Sequence, residues 1–442
     1  MPAAEPSLAL SPNDRGLAVS VARRLLEPFG PVALPVWQAD HPALAWRRSG
    51  LLELTGRPDG PGLVSPVPLT SLADGLLLAL GALAPTADLP SNGAALLGER
   101  ARRLGLRRRG TASANGSARL LKTLDGHLAL NLARTEDWHS LPALLGVAAS
   151  DWREVAVYVA RQPTADLVAQ GRLLGMAIAP EGHPPSPTRL FSVQPPLQYA
   201  PVPSRRPLVV DLSALWAGPL AASLLGAMGA RVVKVESLGR PDGARQGDPR
   251  FYDLLNAGKA SVAFDFKDSE GVRRLRALID AADIVIESTR PRALEQLGID
   301  AASVTRRGAT WVSITAYGRG GATANLVGFG DDAAVAGGAS AAMQRGWGES
   351  LFVGDAISDP LTGIAAAFAG WASWLAGGGR LVDIALADVI AYGCGLGEAR
   401  GRELGAWQAL AVADSGPLYR LRTPLGIARP LGADTAAILS EL

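Results

Sequence analysis

VVDLSALWAGPLAASLLGAMGARVVKVE, residues 209–236, reads as strand, turn, helix and second strand with no residues to spare. The β-branched run Leu208–Leu212 is a first strand, and Ala217-Gly218-Pro219 opens a helix, with Pro placed where a missing N–H costs nothing. The helix spans Pro219–Met228 and Arg231–Val235 is the second strand. Working outward, Val262–Phe266, Ile284–Glu287 and Trp311–Thr315 are further strands, and Gly271–Ala281 and Arg292–Leu297 are the intervening helices. Strands that alternate with helices must run parallel, because each helix returns the chain to the same edge. Residues 208–442 are therefore expected to form an α/β, Rossmann-like doubly wound parallel sheet.

Upstream the pattern is mixed. Gly75–Leu83 is an apolar helix, Leu128–Leu132 alternates like a strand after the turn Asp125-Gly126, and Asp166–Leu174 is helical, so residues 1–183 read as a smaller α+β domain. Pro184, Pro185, Pro187, Pro195, Pro196, Pro201, Pro203 and Pro207 mark 184–207 as a linker.

Composition narrows the function. The 442 residues are 48% hydrophobic and 19% charged, too apolar for a disordered chain. A balance of 43 basic against 41 acidic residues recruits neither nucleic acid nor anionic lipid. The cluster Arg102, Arg103, Arg107, Arg108 and Arg109 has no interleaved aromatics and reads as a solvated face. Pro360–Gly379 is uncharged but rich in Ala and Gly, which suits a buried helix better than a membrane span. Cys394 is the only cysteine and no basic-then-apolar leader opens the sequence, so a reducing cytoplasm is the expected compartment.

The chain also contains a gapless internal repeat. Ser49–Leu83 aligns with Gly337–Trp371, pairing Gly50 with Gly338, Arg57 with Arg345, Gly60 with Gly348 and Gly75 with Gly363, each copy ending in an apolar helix. Where the second copy has Asp359 the first has Ser71. Asp359-Pro360 reads as N-cap and first helical residue, and a cap alone accounts for it; the alternative is a carboxylate delivered as nucleophile to a carbonyl. His41, His127, His139 and His183 all precede the linker, so the α/β region has no imidazole for a Ser-His-Asp site. Neither zinc spacing nor a phosphate loop is present, and Gly218, Gly226 and Gly229 do not make a dinucleotide fingerprint, although Glu236 ends the second strand. Carboxylate chemistry remains.

Several ordered motifs carry a resemblance: Val209–Glu236, Leu254–Leu275 (LLNAGKASVAFDFKDSEGVRRL), Ala282–Asp300, Trp311–Gly321 and Gly354–Leu375 (GDAISDPLTGIAAAFAGWASWL), with Arg429–Leu442 like a closing segment. Together they resemble the family III CoA-transferases (CaiB/BaiF type), the group that includes formyl-CoA transferase, carnitine CoA-transferase and α-methylacyl-CoA racemase. The resemblance implies an acyl-CoA and a carboxylic acid as substrates, no metal, and an interlocked homodimer. It implies that Asp359, four residues before Gly363, is the nucleophile that forms an aspartyl–acyl anhydride. By position it places coenzyme A along Leu215, Trp216, Ala217, Phe264, Lys267, Ser288 and Thr289.

The same resemblance exposes departures. Trp216 stands where formyl-CoA transferase has Gln, Gln296 stands for a basic residue, and Gly330 replaces the His that precedes Asp331 in the racemase branch. A racemase or isomerase, and a silent CoA-binding subunit, are the rival readings. The small-domain-like stretch Ala118–Gly146 precedes the α/β part rather than following it, so residues from about 40 to 180 resemble the later half of a second unit.

Overall fold

The computed structural model describes residues 16–182, 184, 187–197 and 205–441; His183 and, of the linker reading, Pro185, Pro201 and Pro203 lie outside them. Two sheets organise these residues. Strands β1 (Ala118–Lys122), β2 (His127–Asn131) and β3 (Ala177–Pro180) form a three-stranded antiparallel sheet. The larger sheet contains β4 (Ser192–Gln194), β5 (Leu208–Asp211), β6 (Arg231–Ser237), β7 (Ala260–Phe264), β8 (Ile284–Glu287), β9 (Thr310–Thr315) and β10 (Leu381–Ala385). Its order is β4-β10-β9-β8-β5-β6-β7, and every pairing is parallel except that of β4 on β10.

Counted along the chain, the six parallel strands lie in the order 3-2-1-4-5-6, so the fold is α/β and doubly wound. Val209 pairs with Val232 on one side and with Ile284 on the other. The crossovers therefore diverge at the carboxyl ends of β5 and β8, and this switch point is where such a sheet leaves a crevice for ligand. The sequence reading reached five of these strands. It missed β10, whose apolar alternation Leu381, Val382, Ile384 is broken by Asp383, and it missed β4, three residues inside the proline-rich stretch.

Helix Ser358–Leu375 lies across the sheet beside helix Ala217–Ala227. Leu72, Leu76 and Leu80 of helix Leu69–Leu83 share one core with Leu220, Ile364 and Phe368. The C-terminal segment ties the N-terminal helices to the large sheet: Arg48 pairs with Asp414 (3.0 Å) and Arg422 with Glu99 (2.6 Å), and Asp434 then accepts from the Ser261 N–H of β7 (2.8 Å). The basic cluster takes part, with Arg102 donating to the Tyr419 carbonyl (2.7 Å) and Arg108 to that of Gly60 (2.8 Å).

The repeat is structural. Helix Pro42–Arg48 has its counterpart 288 positions on in helix Gly330–Ala336, and helix Leu69–Leu83 has one in Ser358–Leu375. Gly50 and Gly338 both open a helical segment in the left-handed region, at φ 87° and 96°. One hydrogen bond recurs at matching positions: Thr70 Oγ1 donates to the Pro42 carbonyl (3.3 Å) and Ser358 Oγ to that of Gly330 (2.5 Å). The copy also reaches further upstream than the sequence reading placed it. A Cβ on Gly75 would lie 2.7 Å from the Ala18 carbonyl oxygen and meet Val21, while one on Gly363 would lie 2.8 Å from that of Ala217 and meet Leu220. Helix Leu17–Leu26 therefore stands to the first copy as helix Ala217–Ala227 stands to the second.

Candidate active site

Every residue from Ser350 to Ala376 is buried except Asp359. An 18-residue helix that buries all its other residues thus leaves only Asp359 partly exposed, although its carboxyl is largely desolvated. The helix begins at Ser358, two residues earlier than the cap reading, with Ile357 as N-cap and Asp359 already in the first turn. The reason is the turn before it. Gly354 (φ 68°) and Ala356 (φ 44°) are both left-handed, and the Asp359 N–H closes back on the Ala356 carbonyl at 2.8 Å. For Ala this conformation costs on the order of 1–3 kcal/mol. The Asp359 carboxylate does not cap its own helix; it accepts from the backbone N–H of Gly330. A Cβ at position 330 would sit 2.3 Å from Asp359 Oδ2 and 2.6 Å from the Ala356 carbonyl oxygen, so only glycine fits.

Around Asp359 the structure gathers three more acids. Asp331 accepts from the Ala356 N–H (3.0 Å), and Asp332 accepts from the Tyr317 hydroxyl (3.0 Å), the Phe329 N–H (3.0 Å) and Asn131 Nδ2 (3.1 Å). Asp355 receives a two-pronged ion pair from Arg100, Nε to Oδ2 at 2.8 Å and Nη2 to Oδ1 at 2.5 Å. The Arg100 guanidinium also lies 4.5 Å over the Trp216 ring. Asn131 and Arg100 both come from the N-terminal half, whose small sheet covers helix Gly330–Ala336 through Ala118, Leu120, Ala129, Val335 and Phe352.

Burial dominates the titration of this cluster. It lifts Asp359 to about 7, Arg100 opposing it and Asp355 and Asp332 adding to it. Burial lifts Asp331 to about 7, with Asp355 adding to the rise, and Asp332 to about 6. Asp359 is thus partly ionised at neutral pH, and its anion is poorly solvated, which favours attack on a carbonyl.

Five of the residues expected to line the CoA path meet at the switch point. The Ala214 N–H donates to Ser288 Oγ (3.1 Å), linking the turn after β5 to the turn after β8, and Thr289 caps Glu287 through its N–H (2.9 Å). Leu215 is exposed with φ 69°, Trp216 and Ala217 are buried, and the Ala217 carbonyl packs under Gly363, close to the Asp359 turn. A buried charge network fixes this turn. Asp211 accepts from the Ser213 N–H (3.0 Å) and from Lys259 Nζ (2.8 Å), Lys234 Nζ donates to the Ser213 carbonyl (3.0 Å), and Asp242 accepts from the Leu215 N–H (3.0 Å). Burial holds Lys259 down at about 8.

The remaining two stand apart. The Phe264 side chain is part of the core under β7, and only its carbonyl serves the rim, accepting from the Leu238 N–H (2.8 Å). Lys267 is exposed beyond β7, two strand spacings or roughly 10 Å from β5. There it lines a surface cleft with Ser269, Arg273, Arg276 and Gln296. Sequence reasoning passed over Arg100, Asn131 and Asp355; of these only Asp355 carried a signal, standing four residues before Asp359 in the same motif.

Against known proteins, residues 207–397 match the model of CoA-transferase family III. Among curated relatives, the succinate–glutarate CoA-transferase of Agrobacterium fabrum is 32% identical over 214 residues, 42% of this chain and 53% of that protein. The succinyl-CoA:glutarate CoA-transferase of Mus musculus is 30% identical over 35% of this chain and 38% of its own length. The chain thus spans about half, or less, of the length of these relatives. A CaiB/BaiF family protein from Brucella suis, whose crystal structure is known, overlays with a TM-score of 0.39 at 27% identity, covering 50% of this chain and 60% of that one.

Proposed function

We propose that the protein transfers coenzyme A between an acyl-CoA thioester and a carboxylic acid, with Asp359 as nucleophile. The observation that carries this reading is that Asp359 is the one residue of Ser350–Ala376 not fully buried, on the helix whose Gly363 packs against the Ala217 carbonyl of the crevice turn. Asp359 attacks the thioester carbonyl, its oxygen forms the mixed anhydride, and the CoA thiolate leaves. The thiolate then attacks the Asp359 carbonyl, releasing the donor acid and leaving CoA on the aspartate as a thioester. The acceptor acid repeats the two steps in reverse. No water enters, so the thioester energy is conserved.

The turn with Leu215, Trp216, Ala217, Ser288 and Thr289 holds the thioester end, and the start of helix Ala217–Ala227 presents free N–H groups to anionic oxygen. Lys267, with Arg273 and Arg276 near it, receives the phosphates. Phe264 acts through its backbone only. The tight fit of Gly330 against Asp359 leaves no space for a histidine there, which speaks against proton abstraction by a His/Asp pair. Relatives named for succinyl and glutaryl groups make a small dicarboxylate the first acceptor to try. A cytoplasmic homodimer belongs to the same proposal; a sedimentation mass of twice 45.7 kDa tests the dimer. The decisive experiment is mass spectrometry after incubation with succinyl-CoA and other acyl-CoAs. A covalent adduct mapped to Asp359 is expected, and transfer activity without any such adduct would remove the mechanism.

A further inference from the structure

We propose that Arg100, supplied by the N-terminal half, is a positioning residue of the Asp359 site: its fork holds the Asp355–Ala356 turn, and its charge keeps the neighbouring Asp359 carboxylate available as an anion. The inference rests on the reading of Asp359 as nucleophile. Arg100 touches both sides of the site, Asp355 through two hydrogen bonds and Trp216 through its ring face. Its own helix, Gly93–Leu104, is anchored independently: Asp74 accepts from the Ala94 N–H (2.8 Å), and Glu99 pairs with Arg422.

The charge count around Asp359 makes the role specific. Helix Gly330–Ala336 brings Asp331 and Asp332, the turn before the nucleophile brings Asp355, and the N-terminal half brings Arg100. Arg100 faces three of these carboxylates, Asp331, Asp355 and Asp359, while Asp332 is held by neutral donors. Asp355 side-chain exposure is 1%, so without Arg100 it would be a buried, unpaired charge beside Asp359. Asp359 titrates upward through burial, and Arg100 is the charge that opposes it. A half-copy that lost its own aspartate thus still provides the cation for the other.

The test reads Asp359 ionisation separately from turnover. The protonated carboxyl of Asp359 is labelled by a water-soluble carbodiimide with an amine, quantified by peptide mapping from pH 5 to 9, and transfer is assayed in parallel. In Arg100→Met the labelling midpoint should rise by about one pH unit or more. The same variant should lose at least about tenfold in kcat at pH 7, partly regained at pH 9, with KM for the acid changed little. Arg100→Lys keeps the charge but not the fork, so its midpoint should stay within about 0.3 unit of the parent while kcat falls several-fold. A folded Arg100→Met with an unmoved midpoint overturns the electrostatic role. Should that variant not fold, Arg100→Lys decides: a midpoint displaced by a full unit, or an unchanged kcat, overturns the proposal. If the parent neither transfers CoA nor forms an adduct, the functional reading fails while the labelling curves still report on Arg100.

Discussion

Helices Leu69–Leu83 and Ser358–Leu375 occupy matching places in the two copies, yet one carries Ser71 and the other Asp359. Their scaffolds agree in the left-handed glycine, the hydroxyl-to-carbonyl bond and the glycine pressed against a partner helix. They differ where the nucleophile would need support. Pro42 stands at the position of Gly330, so the first copy has no N–H to offer, and a proline ring fills the space a carboxylate would need. Its buried acid is instead Asp74, which burial lifts to about 7 and which accepts from the Ala94 N–H at the start of helix Gly93–Leu104. The copies show that packing and chemistry are separable: the first keeps the helical frame and has turned its acid to holding Arg100's helix.

The largest expected effect tests that contrast directly. Asp359→Ala should reduce transfer by at least about 10³-fold, as removal of a covalent nucleophile does, while Ser71→Ala leaves the rate unchanged. Equal losses in a transfer assay would erase the distinction between the copies. Next, Gly330→Ala forces a Cβ to within 2.3 Å of Asp359 Oδ2 and should cost on the order of 10²-fold in kcat, whereas Pro42→Ala changes it less than twofold.

A pH series sharpens the comparison further. Adduct formation requires the Asp359 anion, so its rate should climb with pH through about 7 and level off above 8. Stability should move the other way. Asp331, raised to about 7 by burial and Asp355, holds a proton in the folded state that the unfolded chain releases near pH 4. Its contribution is therefore lost as pH rises from about 4 to about 7, and Asp331→Asn should flatten that decline in thermal melts.

Smaller effects follow at the paired glycines. Gly75→Ala and Gly363→Ala each push a Cβ to under 3 Å from a carbonyl of the neighbouring helix and should each destabilise by a net of about 1–2 kcal/mol in denaturant unfolding. A cost at only one of them would break the structural equivalence of the copies. The smallest change is expected at the exposed Lys267: alanine there should raise KM for acyl-CoA a few-fold at low salt, with kcat unchanged.

Much of the α/β half was legible because hydrophobic periodicity and turn chemistry are local. Residues 209–236 specify strand, turn and helix within one segment, and parallel order follows from the alternation with helices. The gapless repeat was equally readable, since a constant offset survives without any knowledge of contacts. Helix Leu17–Leu26 was not placed in the repeat, because its kinship with Ala217–Ala227 shows only in which carbonyl each glycine of the long helices touches. Within the site, Asp359 was nameable from its motif, but its role as cap or nucleophile was undecided by its residue type alone.

The sequence by itself determined five of the seven strands of the large sheet, the repeat, and the exchange of Ser71 in the first copy for Asp359 in the second. Only the tertiary structure decided that Asp359 is the one partly exposed residue of its segment, that its hydrogen bond comes from Gly330 rather than from its own helix, and that Arg100 from 255 residues upstream of Asp355 supplies the facing charge. The physical reason is range. Backbone propensities act over a few residues, whereas burial and charge depend on which distant segments the core brings to within a few ångströms.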